Sequence, residues 1–440
     1  MQFQDFMLTP LYLLLFYAFI FSMRGRLTDR KNKQYFIRAY SFKVFGAIAV
    51  GMIYTYYYGG GDTILYNQMA VSESFFESPY IFFKIVFNDI QYDPDTYEYL
   101  RYNIFYTKDD NPTYLITRIT TFLSLFTFKT YTINAICFAT FAFLGSWQLF
   151  RVFSDVYPKL INRAALAVFF LPSVIFWGSG LLKDTLTFGA LGFALYGFYF
   201  GIIKRKNLVV NIFWLIFGLY TVFLIKIYIL YCFIPALLLW TYKAFGQSIK
   251  SSFIRYLITP LVFIVLLLGG AFGLQNLTAE SDYSFDKISK KTQVTATWLK
   301  SQSSEGGYYE LGIDEYNNTS MLLALPKAAG IALFRPFVWE AGFNPVRQLA
   351  ALEASYFIWL TILVFRRASI RKIWNTIFNE ALVFSSLAFA ISYAGAVAIA
   401  TSNFGSLVRY KIPMMPFYIF SLYVILELNP KKQKKGSRNS

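Results

Sequence analysis

"YLITPLVFIVLLLGGAFGL", residues 256–274, runs for 19 residues without a charged side chain. At 1.5 Å of rise per residue, a helix of this length nearly matches the roughly 30 Å hydrocarbon core of a bilayer. It is apolar on every face, whereas a helix at the surface of a soluble domain keeps one polar side. Leu8–Met23, Ala39–Tyr58, Tyr131–Phe150, Ala381–Thr401 and Pro413–Glu427 read the same way. Of the 440 residues, 56% are hydrophobic and only 15% charged, which leaves too little polar surface for a soluble chain of this size. The sequence therefore predicts an all-α, polytopic integral membrane protein. It forms a single membrane domain over 1–430, followed by a basic, low-complexity cytoplasmic tail, 431–440.

The formal charge of +17 does not point to nucleic acid, because the basic residues cluster in short linkers between apolar runs, as the positive-inside bias requires. Cys137 and Cys232 both sit inside such runs and read as small buried hydrophobes. Histidine is absent, which removes His-based triads, His-ligated metals and imidazole proton shuttles. Acid–base chemistry would fall to Asp, Glu, Lys or Tyr. The first apolar run lacks a basic flank before it and a small-residue cleavage site after it, so it is expected to stay as a span.

Charge also orients the chain. Residues 24–38 hold six Lys/Arg and one Asp, so the first crossing is expected to enter the cytoplasm, leaving the N-terminus outside. Ala39–Tyr58 returns outward and puts Asp62 on the outer face. "RRASIRK" (366–372) and "KKQKKGSR" (431–438) are expected in the cytoplasm. Glu353–Phe365 then runs inward, Ala381–Thr401 outward and Pro413–Glu427 inward. Arg151, Lys159 and Arg163 read as cytoplasmic, as do Lys204–Lys206, which leaves "WGSGLLKD" (177–184) outside. These assignments agree only if Tyr114–Phe128, short and rich in threonine, lies along the outer interface without crossing. About eleven transmembrane helices result, with the C-terminus inside. Two long outer loops, 59–130 and 275–350, are expected to carry interfacial helices such as "ESFFESPYIFFKIVFNDI" (73–90). The first loop is acidic, with nine Asp/Glu against three Lys/Arg over 59–112.

Ionisable residues close to a bilayer are expensive to desolvate and usually have a reason to be there. Four outer segments carry them: "GGGDTILY" (59–66) with Asp62 and Tyr66; Lys183 and Asp184; Arg335, Glu340, Arg347 and Glu353 in 333–353; and Arg409 with Lys411. Each has a plain structural reading: a helix-ending turn and cap for Gly59–Asp62, a local ion pair for Lys183–Asp184, snorkelling for the Arg/Lys residues. The functional reading assigns roles by chemistry. Asp62 takes a proton from an acceptor hydroxyl, with the glycines admitting the acceptor. Lys183, Arg335 and Arg409 hold a lipid phosphate, and Tyr66, Asp184, Glu340, Arg347 and Lys411 complete the substrate site. No metal ligands are assigned, no cofactor is identified, and no nucleotide-binding signature appears.

"GGGDTILY", followed by "DNPTYLITRITTFLSLFTFKTYTINAICFATFAFLG" (110–145), resembles the first outer loop of C-type (GT-C-fold) glycosyltransferases. In that family an early loop aspartate is the base and a proline-tyrosine helix follows. "FLPSVIFWGSGLLKDTL" (170–186), "LFRPFVWEAGFNPVRQLAALE" (333–353) and "NFGSLVRYKIPMMPF" (403–417) are similar to segments of O-antigen and exopolysaccharide polymerases of bacterial, Bacteroidetes-like polysaccharide loci. The Asp-Asp or Glu-Asp pair of some GT-C enzymes is not found at Asp62, and the missing histidine departs from the O-antigen ligases.

The resemblance implies a multi-pass protein of the bacterial cytoplasmic membrane. It would move a sugar or glycan from a polyprenyl (pyro)phosphate donor to a glycan, lipid or protein acceptor, with membrane lipid as its other partner. A transporter or flippase of the same lipid-linked glycan competes with this reading. Against it stand the lack of an internal repeat and of Gly/Pro-broken helices in matched positions. A non-catalytic membrane subunit is the third alternative.

Overall fold

The computed structural model describes residues 3–87, 111–245, 292–298, 301, 307–313 and 316–430. The apolar run 256–274, parts of both long loops (88–110 and 275–291) and the tail 431–440 lie outside the described residues. Among the described residues the regular structure is helical, with one isolated bridge between Tyr308 and Asn403. Eight helices among the described residues are long and apolar enough to cross a bilayer: Phe3–Leu27, Lys33–Tyr57, Tyr131–Val156, Lys183–Ile203, Leu208–Lys226, Tyr228–Phe245, Pro345–Arg367 and Ala381–Thr401. A further pair, Phe404–Tyr410 and Ile412–Leu428, qualifies together but is bent by 40°. The protein is thus an all-helical, multi-pass membrane protein.

The chain forms two compact units, one of 1–152 and 168–230, the other of 153–167 and 231–440. In the first, α1 (Phe3–Leu27), α2 (Lys33–Met52, extended by a π-helical turn Ile53–Tyr57), the start of α7 (Tyr131–Val156), α10 (Lys183–Gly197) and α11 (Leu208–Lys226) supply the long helices. Between them come α3 (Asp62–Gln68), α4 (Ser74–Glu77), α5 (Pro79–Phe87), α6 (Asn111–Thr127) and α9 (Pro172–Phe176), while α8 (Ile161–Phe169) belongs mostly to the second unit. Small residues let the backbones meet, as packing inside a membrane demands. A Cβ on Gly145 of α7 would lie 2.0 Å from the Gly189 carbonyl of α10, and one on Gly192 would lie 2.0 Å from that of Gly145. Phe36, Phe143, Trp147, Phe150 and Phe169 fill the neighbouring core in edge-to-face, tilted and stacked contacts, and the Trp147 indole donates to the Leu27 carbonyl at 3.1 Å.

Two short segments of the sequence-derived path take a defined form. Helix α6 forms where an interfacial helix is expected, and its hydroxyl face is the buried one. Thr117, Thr120, Thr121, Ser124 and Thr127 are buried while Phe122 and Phe126 are exposed. Hydroxyls find partners only in protein, so this face turns inward and the phenyl rings turn out. The stretch expected to lead across the membrane to "WGSGLLKD" is broken into α8 and α9. Pro172 opens α9, and the preceding Leu171 is extended, as a residue before proline prefers.

The second unit contains α12 (Tyr228–Phe245), α13 (Asn318–Phe334), α14 (Pro345–Arg367), α15 (Ile370–Asn379), α16 (Ala381–Thr401), α17 (Phe404–Tyr410) and α18 (Met415–Leu428). Phe153, Phe233, Phe389, Phe417 and Phe420 form its aromatic core, with Phe153 stacked on Phe420 at 4.4 Å. Helix α13 runs close to α16, where a Cβ on Gly395 would meet Leu325 Cδ2 at 2.8 Å.

Candidate functional site

In the first unit the opening residue of the site is set by backbone conformation. Past the π-helical turn the chain reverses through Gly59, Gly60 and Gly61, whose φ values are +70°, +147° and +130°. L-residues avoid this region, so all three glycines are explained by the turn itself. Only Gly61 is also crowded, since a Cβ there would come 2.6 Å from the Tyr54 ring. Tyr54 in turn meets Trp177 edge to face at 6.1 Å. The two sequence segments "GGGD" and "WGSG" are brought together through these two rings.

Asp62 follows as the first residue of α3 and is exposed. Gly61 occupies the N-cap, so the carboxylate is not the cap. The other side of α3 is fastened. Thr63 Oγ1 bonds the Tyr131 hydroxyl at 2.7 Å, and Asn67 Nδ2 donates to the Lys129 carbonyl at 3.0 Å. Asn134 Nδ2 donates to Asn67 Oδ1 at 2.8 Å and to Ser124 Oγ at 3.0 Å, while Thr127 donates to Asn134 Oδ1 at 2.7 Å. Tyr66 is buried on the same helix.

Lys183 and Asp184 open α10. Lys183 is half-buried, whereas Asp184 is fully buried and forms an ion pair with Lys226 at the end of α11. A second buried lysine, Lys43 of α2, donates to the carbonyls of Val174 at 3.0 Å and Gly178 at 2.7 Å, with Phe188 beneath it at 4.9 Å. The first of these carbonyls belongs to α9 and the second lies just past its end. Between α9 and α10, residues 177–182 are buried without being helical. Such backbone survives inside a membrane protein only where protein covers it. Its two charged neighbours answer the helix dipoles: an ammonium at the negative end of α9, a carboxylate at the positive end of α10. Lys43 and Lys226 escape a reading focused on loops. Their signal is a single lysine inside an apolar run, "SFKVFGAIAV" (41–50) and "TVFLIKIYILY" (221–231).

In the second unit Arg335 and Glu340 form a two-pronged ion pair, Nε to Oε2 at 3.0 Å with Nη2 on Oε1, and Glu340 Oε2 also accepts the Phe337 N–H at 2.8 Å. The Arg335 guanidinium lies 5.0 Å above the Phe404 ring. Lys411, buried, donates to the carbonyls of Ala332 at 3.0 Å and Arg335 at 3.3 Å, closing the end of α13. Buried Glu353 of α14 lies within electrostatic range of that ammonium. Arg335, Glu340, Glu353 and Lys411 are thus brought into one neighbourhood. Arg409 is half-buried over the Tyr410 ring at 5.4 Å, and Arg347 is half-buried in the first turn of α14, where Asn344 caps its N–H at 3.1 Å.

Tyr309, which the sequence does not single out, pins its strand-like segment to the end of α16. Its hydroxyl donates to the Ala398 carbonyl at 2.8 Å and bonds Thr401 Oγ1 at 2.6 Å, and its N–H donates to Ser402 at 3.1 Å. Burial pushes this phenol well above its ordinary range.

Among the described residues no group of three or more Cys, Asp or Glu is arranged to hold a metal ion. Comparison with protein-family models, curated proteins and solved structures gives no match to this chain.

Proposed function

We propose that this protein transfers a sugar or glycan from a polyprenyl (pyro)phosphate carrier to an acceptor at the outer face of a bacterial cytoplasmic membrane, as a GT-C-type glycosyltransferase or polysaccharide polymerase. In this reading the chain crosses about eleven times, with the N-terminus outside and the C-terminus in the cytoplasm. Asp62 is the base. It takes the acceptor hydroxyl proton while that oxygen attacks the anomeric carbon, and the bond from that carbon to the carrier phosphate oxygen breaks. Within the unit that holds Asp62, Lys183 is the candidate to hold the departing phosphate. Arg335, doubly bonded to Glu340, and Lys411, turned to two carbonyls, hold the loops around them.

The supporting observation is the exposed carboxylate of Asp62 on a platform fixed from behind by Thr63, Asn67 and Asn134. A base needs that combination of reach and fixed position. The test is transfer from a synthetic polyprenyl-linked sugar by purified protein. Asp62→Asn is expected to lower the rate by about 10²–10⁴-fold while leaving thermal stability unchanged. Wild-type transfer by the Asn variant would reduce Asp62 to a turn residue.

A second reading, export or flipping of the lipid-linked glycan, is favoured by a specific observation. The first unit contains a broken helical segment, 170–182, flanked by Lys43 and by the Asp184–Lys226 pair. Discontinuous helices with ionisable groups in a membrane are frequent in transporters. No in vitro transfer by the wild type, together with loss of lipid-linked glycan export in an Asp184→Asn variant at matched abundance, would select this reading.

A further inference from the structure

Helix α15 joins two consecutive spans, α14 and α16, so it lies at one membrane surface whatever the orientation of the chain. Its ten residues, "IRKIWNTIFN", divide cleanly. Ile370, Ile373, Trp374, Ile377 and Phe378 share one face, and Arg371, Lys372, Asn375 and Asn379 share the other. The apolar face is only partly used by the protein. Ile373 is buried, but Ile370 is 64% and Trp374 53% exposed. This exposed apolar surface continues that of α14, where Trp359, Ile362 and Phe365 also face outward.

The helix is held rigidly in this pose. Asn429 Nδ2 donates to Thr376 Oγ1 at 3.0 Å, Lys243 donates to the Phe378 carbonyl, and Glu380, just past the helix, accepts the Tyr157 hydroxyl at 2.7 Å. At its start stand four exposed cations, Arg366, Arg367, Arg371 and Lys372, with no acidic residue anywhere in 354–379. None of the four is ion-paired to a carboxylate among the described residues.

We propose that α15 and the basic pair before it form a fixed docking site for anionic phospholipid. The guanidinium and ammonium groups hold the headgroup phosphates, and Ile370 and Trp374 lie among the first acyl methylenes. Charge complementarity selects this occupant, since four unpaired cations beside a lipid-facing apolar strip match a molecule with an anionic head and an apolar body. The pinning by Asn429 and Lys243 means that the site is preformed, so it recognises individual lipids and does more than follow the surface potential. This inference does not depend on the donor or acceptor proposed above.

The test uses the full-length protein in neutral detergent, offered phosphatidylglycerol or phosphatidylcholine, with retained lipid counted by native mass spectrometry. The wild type is expected to retain phosphatidylglycerol in preference. Arg371→Gln and Lys372→Gln should each lower that preference by about five-fold, and Arg367→Gln/Arg371→Gln/Lys372→Gln should abolish it. Lys204→Gln, an exposed cation elsewhere, serves as the control and should change nothing. Equal retention of the two lipids by the wild type, or undiminished preference in the triple variant, overturns the proposal. So does competition by inorganic phosphate at concentrations equal to the lipid, which would mark a site for free anions.

Discussion

Asp184 and Lys226 show most sharply what a single position contributes. Each is buried inside a helix-rich unit, and each has the other as its countercharge. Removing one partner leaves an uncompensated charge in a medium of low polarity, whereas removing both leaves only a packing change. Asp184→Asn and Lys226→Met are therefore each expected to destabilise the purified protein by about 3–5 kcal/mol, and Asp184→Leu/Lys226→Met to recover most of that loss. Thermal unfolding in detergent, read as a double-mutant cycle, checks this. Additive losses would show that the two residues act separately. Asp184 is legible in the sequence as a charge beside an apolar run, but its partner is not. The lysine lies 42 positions away, and nothing local specifies which of several basic residues will meet it. Asp62 is legible too, yet the neighbouring glycines mislead. They suggest room for a substrate, and the positive φ values show that the turn itself needs them.

At the scale of elements, long uniform helices are read correctly because their signal is redundant: twenty apolar residues outvote any one substitution. Short elements have no such margin. Helix α6 is the instructive case: the sequence marks it as a short, threonine-rich interfacial helix, and only the fold shows that the threonine face is the buried one. Its exposed rings should then contact lipid. In a background carrying Cys137→Ala and Cys232→Ala, Phe122→Cys and Phe126→Cys are expected to resist a water-soluble maleimide in intact membranes and to react with a lipophilic one. Rapid reaction with the soluble reagent would place these rings in water. The break between α8 and α9 is visible in the sequence as Pro172. Its outcome, a buried non-helical stretch, depends on Lys43 reaching across from α2, which no local pattern records.

For the whole molecule the sequence supplies the class, an all-helical membrane protein, through composition and run length alone. Orientation rests on charge bias, and the proposed function needs Asp62 outside. Two exposed positions in the second unit test it: Glu310→Cys should be labelled by an impermeant thiol reagent in intact spheroplasts, and Asn375→Cys only after permeabilisation. The reverse pattern would invert the chain and remove the outer-face reading. The division into two units is not legible in the sequence. Residues 153–167 and 168–230 change sides relative to their order along the chain, and no composition shift or linker marks the exchange.

The grip of Lys43 on the end of α9 also bears on how the chain is made. During synthesis α2 leaves the ribosome more than a hundred residues before Val174 and Gly178, the carbonyls that its ammonium will finally hold. A lysine in the middle of a span costs about 2.5–3.5 kcal/mol to insert alone. Until the later segment arrives, α2 must keep that charge in contact with water or with the insertion machinery. The expected consequence is that the second span settles fully into lipid only after residues 174–178 have been translated. The Asp184–Lys226 pair imposes a second and shorter delay on α10.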